Sequence, residues 1–197
     1  MTQHVGIDIG FGGYVCIIHE SNRVEFIPLP VIKIETDSQK KKYNLFALNS
    51  IFKMISCSPA FMVIEHQHAF KNQVWAKDDI TGKNILLHES SQGISSTGRL
   101  LEGFGAIQAF AIAHGIDHKI VSPQKWQKHL FPKIKMGWDT KKISIAEAKK
   151  LYPEAQLIAP GARVENHNRA DSLLIAYYAK KLQEAENGMV LYKRGDI

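Results

Sequence analysis

Three acidic residues stand where an acid is costly. Asp8 lies in the apolar run Val5-Gly6-Ile7-Asp8-Ile9-Gly10, and Glu65 ends the run Phe61-Met62-Val63-Ile64-Glu65. Asp171 falls in the first turn of an amphipathic stretch that begins near His167. A carboxylate in a buried strand needs a cation or a hydrogen-bond donor to compensate it. Singly, each has a plainer reading: Asp8 caps a strand end, Glu65 is a surface acid opening a loop, and Asp171 complements a helix dipole. Together they suggest convergence, because two strands of one sheet that both end on acids bring them close if the strands are neighbours. Hard divalent cations relieve the repulsion among gathered carboxylates. An oxygen-rich set favours Mg²⁺ or Mn²⁺ over zinc, and two such ions suit phosphodiester hydrolysis. His167 precedes Asp171 by four residues, on the same helix face. Gly10, Gly12 and Gly13 leave room for a phosphate beside the first run.

The elements that must position these groups follow from periodicity. Short apolar runs at 5–9, 14–18 and 24–27, separated by turn residues, predict a three-strand antiparallel meander. Apolar residues at helical spacing within 38–56 predict an amphipathic helix. Residues 61–64 form a fourth strand, followed by a loop from 66 to 97, then a helix near 99–114 and a fifth strand at 119–121. Pro123 opens a short helix, 133–139 is irregular, and Thr140 caps a helix running to 151. After a loop at 153–164, Asn166 or Asn168 caps a last helix through about 184. The expected fold is one α/β domain over 1–185 with a weakly packed tail at 186–197. Its sheet is five-stranded and mixed, with the first strand central.

The chain has 197 residues, 45% hydrophobic and 22% charged, with a formal charge of +6. No apolar stretch reaches the roughly 20 residues of a membrane helix, and residues 1–10 do not read as a signal peptide. A cytoplasmic location is expected, with no membrane partner, in a bacterial or phage-infected cell. Cys16 and Cys57 read as buried, reduced thiols. Positive charge is dense at Lys125, Lys128, Lys133, Lys135, Lys141, Lys142, Lys149 and Lys150, interleaved with Trp126, Phe131 and Trp138. Each lysine alone fits a solvated face; together they fit a nucleic-acid surface.

An Asp in the first strand, a Glu ending the fourth and an Asp opening the last helix resembles the RNase H-like nucleases. Within them the chain is similar to RuvC-type Holliday junction resolvases of the phage and chloroplast branch. Five blocks in order carry the resemblance: Gly6-Ile7-Asp8-Ile9-Gly10; Val63-Ile64-Glu65; Gly93-Ile94-Ser95-Ser96-Thr97; Val121-Ser122-Pro123-Gln124-Lys125-Trp126; and the stretch from Asn168 to Ala176. The resemblance implies a homodimer that binds branched DNA, namely four-way junctions. It implies paired nicks leaving 5′-phosphate and 3′-hydroxyl ends, with two Mg²⁺ or Mn²⁺ ions per site. Asp8, Glu65 and Asp171 would be ligands, with His167, ahead of Glu165, as the fourth. Many relatives carry an acid where this chain has Asn166, His167 and Asn168. Lys141 resembles a lysine that approaches the scissile phosphate, with Lys142 a near-equal choice. Ser95, Ser96, Arg99, Lys125, Lys128, Lys135, Lys141, Lys142 and Arg169 are the expected DNA contacts. Gly103 and Gly105 would permit close helix approach or flexible DNA contact. Phe70 and Trp75 either stack on an opened junction or pin the loop to the core.

Three alternatives stand beside this reading. Another RNase H-like nuclease, such as an RNA–DNA hybrid cutter, would use the same acids. A sugar-kinase-like or actin-like ATPase shares an Asp-x-Gly turn but needs a second such domain. A catalytically inactive junction-binding protein is favoured only by the Asn-rich stretch at 166–168.

Overall fold

A computed structural model describes residues 2–34, 37–66, 71–77, 84–91, 94–131 and 139–194, with side chains placed at 2–34, 41–66, 97–131 and 139–188. The central sheet contains β1 (Gln3–Asp8), β2 (Tyr14–Ile18), β3 (Val24–Pro28), β6 (Ala60–Glu65) and β9 (Asp117–Val121). Its order is β3-β2-β1-β6-β9. The first three strands pair antiparallel, while β1–β6 and β6–β9 pair parallel. The first strand is therefore central, as its nearly uninterrupted apolar sequence requires.

Helices cover both faces of this sheet. Val5, Ile7, Met62 and Ile64 pack with Leu48 and Phe52 of α1 (Leu45–Ile55) and with Ile107 and Ala111 of α2 (Ile94–Ala113). Alternate residues such as Cys16, Phe61 and Val63 pack on the other face. There they meet α3 (Pro123–Leu130), α4 (Thr140–Leu151) and α5 (His167–Arg194). Strand side chains alternate with a period of two, so one strand feeds both cores. Among the described residues no helix is long and apolar enough to cross a membrane.

Several boundaries differ from expectation. Residues 38–43 are not helical. They belong to β5 (Asp37–Tyr43), which pairs with β4 (Val31–Ile34). The helical apolar spacing starts only at Leu45, where Asn44 caps α1 by accepting from the Ala47 N–H at 3.2 Å. The expected loop at 66–97 holds a second ribbon, β7 (Lys71–Lys77) with β8 (Asn84–Ser91), and α2 begins at Ile94. Neither segment carries the uninterrupted apolar run that marks the central strands, so both read as loop. The side chain capping α4 is Asp139, whose Oδ1 accepts from the Lys141 N–H at 3.0 Å. The last helix continues to Arg194, so the expected tail begins as helix, and Glu186 pairs with Lys119 of β9. Cys16 is buried as expected, but Cys57 is exposed beyond the end of α1.

Candidate active site

Asp8 and Glu65 are the last residues of neighbouring parallel strands. The β1–β6 ladder runs Gly6 opposite Val63 and Ile7 opposite Ile64, so Asp8 and Glu65 follow at the next step. Adjacent strands lie about 4.8 Å apart. Val5 and Ile7 point to the α1–α2 core, so Gly6 and Asp8 face α5. Glu65 shares that face with Phe61 and Val63. The chain after Glu65 is held by the His66 N–H, which donates to the Val121 carbonyl at 2.8 Å.

Helix α5 runs back along β1. His4 Nε2 meets Gln183 Oε1 at 2.9 Å near one end. In the middle, Gly6 offers bare backbone, and a Cβ there would collide with the backbone of Ala176 and Ser172. Continuing along the same line, the first turn of α5 brings Asp171 to the Asp8 end of the strand. Asn166 Oδ1 accepts from the Asn168 N–H at 2.9 Å, and Asn168 Nδ2 donates to the Gly12 carbonyl at 2.9 Å. The helix start is thus tied to the β1–β2 turn.

The three carboxylates act on one another electrostatically. Burial raises the Asp8 carboxyl well above its usual range, and the charges of Glu65 and Asp171 raise it further. Burial pushes Glu65 up to about 7; the Trp126 indole opposes this and the charge of Asp171 adds to it. The Trp126 Nε1–H donates to Glu65 Oε1 at 2.8 Å. Asp171 is raised by burial, while the Ser144 hydroxyl and the charges of His167 and Lys141 pull the other way. Desolvated acids that repel one another are the donor set a hard divalent cation fits. Among the described residues no group of three or more His, Cys, Asp or Glu is already arranged to hold a metal ion.

The remaining expected residues divide. The charges of His167 and Lys141 both reach Asp171. Glu165 is engaged elsewhere, in an ion pair with Lys149 at 2.7 Å. Lys142 is exposed and lines a shallow depression with Lys149 and Glu165. Lys125 and Lys128 are exposed on α3. Arg169 is not a surface cation. It is 7% exposed, stacks over the Phe26 and Tyr14 rings, and donates from Nη1 to the Ile158 carbonyl at 2.6 Å. Its guanidinium is therefore engaged within the protein, not presented to solvent. Arg99 is partly buried, with its Nε lacking a partner among the described residues. Trp126 and Phe131 are core residues, 5.5 Å apart edge to face, rather than surface stacking groups. Ser95 and Ser96 lie in the first turn of α2 and Trp75 in β7, with their side chains outside the described residues. Lys135, Phe70 and Trp138 also lie outside the described residues.

Sequence reasoning missed Trp126 as the donor to Glu65, Ser144 beside Asp171, Asn168 as a tether and Tyr43 near Asp8. Gly103 was the one legible signal for Tyr43. A Cβ at Gly103 would collide with the Tyr43 ring, whereas Gly105 faces open space.

No family model matches the sequence, and no curated protein sequence matches it. Solved structures do match. The structure of Thermus thermophilus RuvC in complex with a Holliday junction substrate is 12% identical, with a TM-score of 0.54 over 89% of this chain and 90% of that one. Another Thermus thermophilus RuvC structure is 15% identical, with a TM-score of 0.42 over 87% of this chain and 89% of that one. The first match shows a shared fold, the five-stranded RNase H-like sheet flanked by helices.

Proposed function

We propose that the protein is a divalent-metal-dependent endonuclease that resolves four-way DNA junctions by paired symmetric nicks. The observation that carries this reading is the meeting of Asp8, Glu65 and Asp171 at one end of β1, on the fold of a RuvC seen with a Holliday junction substrate. Asp8, Glu65 and Asp171 would hold Mg²⁺ or Mn²⁺, with His167 at the edge of the set. A bound divalent cation supplies charge on the phosphate oxygens and lowers the pKa of water.

The chain's own residues do the rest. The Trp126 indole fixes one Glu65 oxygen and favours its ionised form. Ser144, His167 and Lys141 favour the ionised form of Asp171 in the same way. Lys141, exposed at the start of α4, presents its ammonium to a phosphate approaching Asp171. Exposed Lys125, Lys128 and Lys142 hold the DNA backbone beyond it. In-line hydrolysis leaves a 5′-phosphate and a 3′-hydroxyl.

Paired nicks require two sites related by a two-fold axis, hence a homodimer. Leu101 and Ile112 stand exposed on the outer face of α2, and Phe46 and Met54 on α1. These side chains are the candidate face for such pairing.

The test offers purified protein a synthetic four-way junction, a linear duplex and an RNA–DNA hybrid, each with and without Mg²⁺. Symmetric nicking of the junction alone, dependent on Mg²⁺, is expected. Asp8→Asn should abolish nicking while leaving junction binding within about threefold, since it removes a ligand and not the DNA surface. Preference for the hybrid, or wild-type turnover by Asp8→Asn, would overturn the reading.

A further inference from the structure

The ribbon of β4 and β5 has no part in the catalytic centre, yet it starts beside it. Its inner end is Tyr43, which is buried with its ring 5.1 Å from Phe11 and packed over Gly103. The negative charge of Asp8 reaches the Tyr43 hydroxyl. Moving outward along the ladder, Val31 stands opposite Tyr43, Ile32 opposite Lys42 and Lys33 opposite Lys41. Alternate pairs share a face. Lys33 and Lys41 therefore lie on the Tyr43 face, one two-residue repeat farther out, about 7 Å along the strand.

Both lysines are exposed. Like charges directly opposite on antiparallel strands destabilise the pair. Among the described residues no carboxylate forms an ion pair with Lys33 or Lys41. Among the described residues, two exposed ammonium groups without a carboxylate partner thus face each other across a ribbon rooted at the Asp8 end of the sheet. A polyanion passing that end would cancel the repulsion. We propose that the Lys33–Lys41 cross-strand pair is a clamp for the DNA phosphate backbone, gripping the strand outside the position held by the carboxylates. This inference rests on the nuclease reading above, with DNA as the partner.

The experiment compares wild type, Lys33→Gln/Lys41→Gln and Lys41→Glu. The control is Lys53→Gln, an exposed lysine on α1. Affinity for a four-way junction is measured by fluorescence anisotropy over a salt series in Ca²⁺ without Mg²⁺, alongside thermal melting and single-turnover nicking at saturating DNA. Each lost phosphate contact lowers the steepness of log K against log salt by about 0.9. The double variant is expected to flatten the slope by about 1–2 and to weaken binding roughly tenfold near 0.1 M salt. Its melting temperature should be unchanged or higher, because a repulsion is removed. Lys41→Glu makes an opposite-charge pair with Lys33 and should flatten the slope at no cost in stability. Lys53→Gln should match wild type. Wild-type slope and affinity in the double variant would overturn the clamp while leaving the nuclease intact. Early melting of both variants would make the pair structural and overturn it too. Failure of wild type to bind any junction would instead defeat the nuclease reading.

Discussion

Glu65 is the residue on which pH acts most directly. Its carboxyl is pushed up to about 7 from an ordinary 4.5. Between these values the folded protein holds a proton that the unfolded chain has lost, so stability falls as pH rises. The contribution is fully present below about 4.5 and gone above about 7. Asp8 and Asp171, also raised, act in the same direction. In EDTA, the melting temperature relative to Glu65→Gln should therefore fall from pH 5 to pH 8; a relative rise would contradict the placement of Glu65. Trp126 offers a second handle, because its indole holds the Glu65 carboxyl lower than burial alone would. Trp126→Phe should shift the acid limb of the nicking pH profile to higher pH. It should cost about 1–3 kcal/mol of stability, through the lost hydrogen bond and altered packing. An unmoved acid limb would show that Glu65 does not set it.

At the scale of elements, the site depends on how closely α5 lies on β1. Gly6 permits that approach, and Gly10, four residues on, faces open space. Overpacked positions typically cost about 1–3 kcal/mol, more where backbone must move. Gly6→Ala should reach at least the upper end and lower the melting temperature by roughly 6–12 °C. Gly10→Ala should stay within about 0.5 kcal/mol. Calorimetry of the two variants checks the contrast, and equal stability would mean that α5 does not seat on Gly6. Arg169 belongs to this scale as well. Its guanidinium joins α5 to β2 and β3 through Tyr14 and Phe26, and to the 153–164 loop through the Ile158 carbonyl. It holds the helix that carries Asp171.

At the scale of the whole molecule, the carboxylate face and the outer face of α1 and α2 make different demands. The first carries carboxylates rimmed by lysines. The second exposes Phe46 at 90% and Ile112 at 69%. If this face pairs two copies, Ile112→Glu should give a monomer in sedimentation and uncoordinated single nicks in place of paired ones. A variant that remains dimeric would place the interface elsewhere.

The acids were legible in the sequence because a carboxylate ending an apolar strand is conspicuous, and strand order follows from the apolar runs around them. Asp8, Glu65 and Asp171 could be named as one group, and the central place of β1 could be expected. The ribbons and helix ends were less legible. Residues 38–43 carry no decisive period, and nothing in their pattern marks β4 as their partner. Cys57, expected buried, is exposed because its burial depends on where α1 ends. Only the tertiary structure decided which neighbours tune the carboxylates. Trp126 stands 61 positions from Glu65, and Arg169 faces rings from two other strands. Periodicity assigns a side chain to a face, but its partner on that face is chosen by packing between elements distant in the chain. For this protein, the acids and the sheet were written locally; their desolvation and their donors arise only when β1, β6, α3, α4 and α5 meet, and the basic ribbon takes its place beside them when Tyr43 packs on Phe11 and on Gly103 of α2.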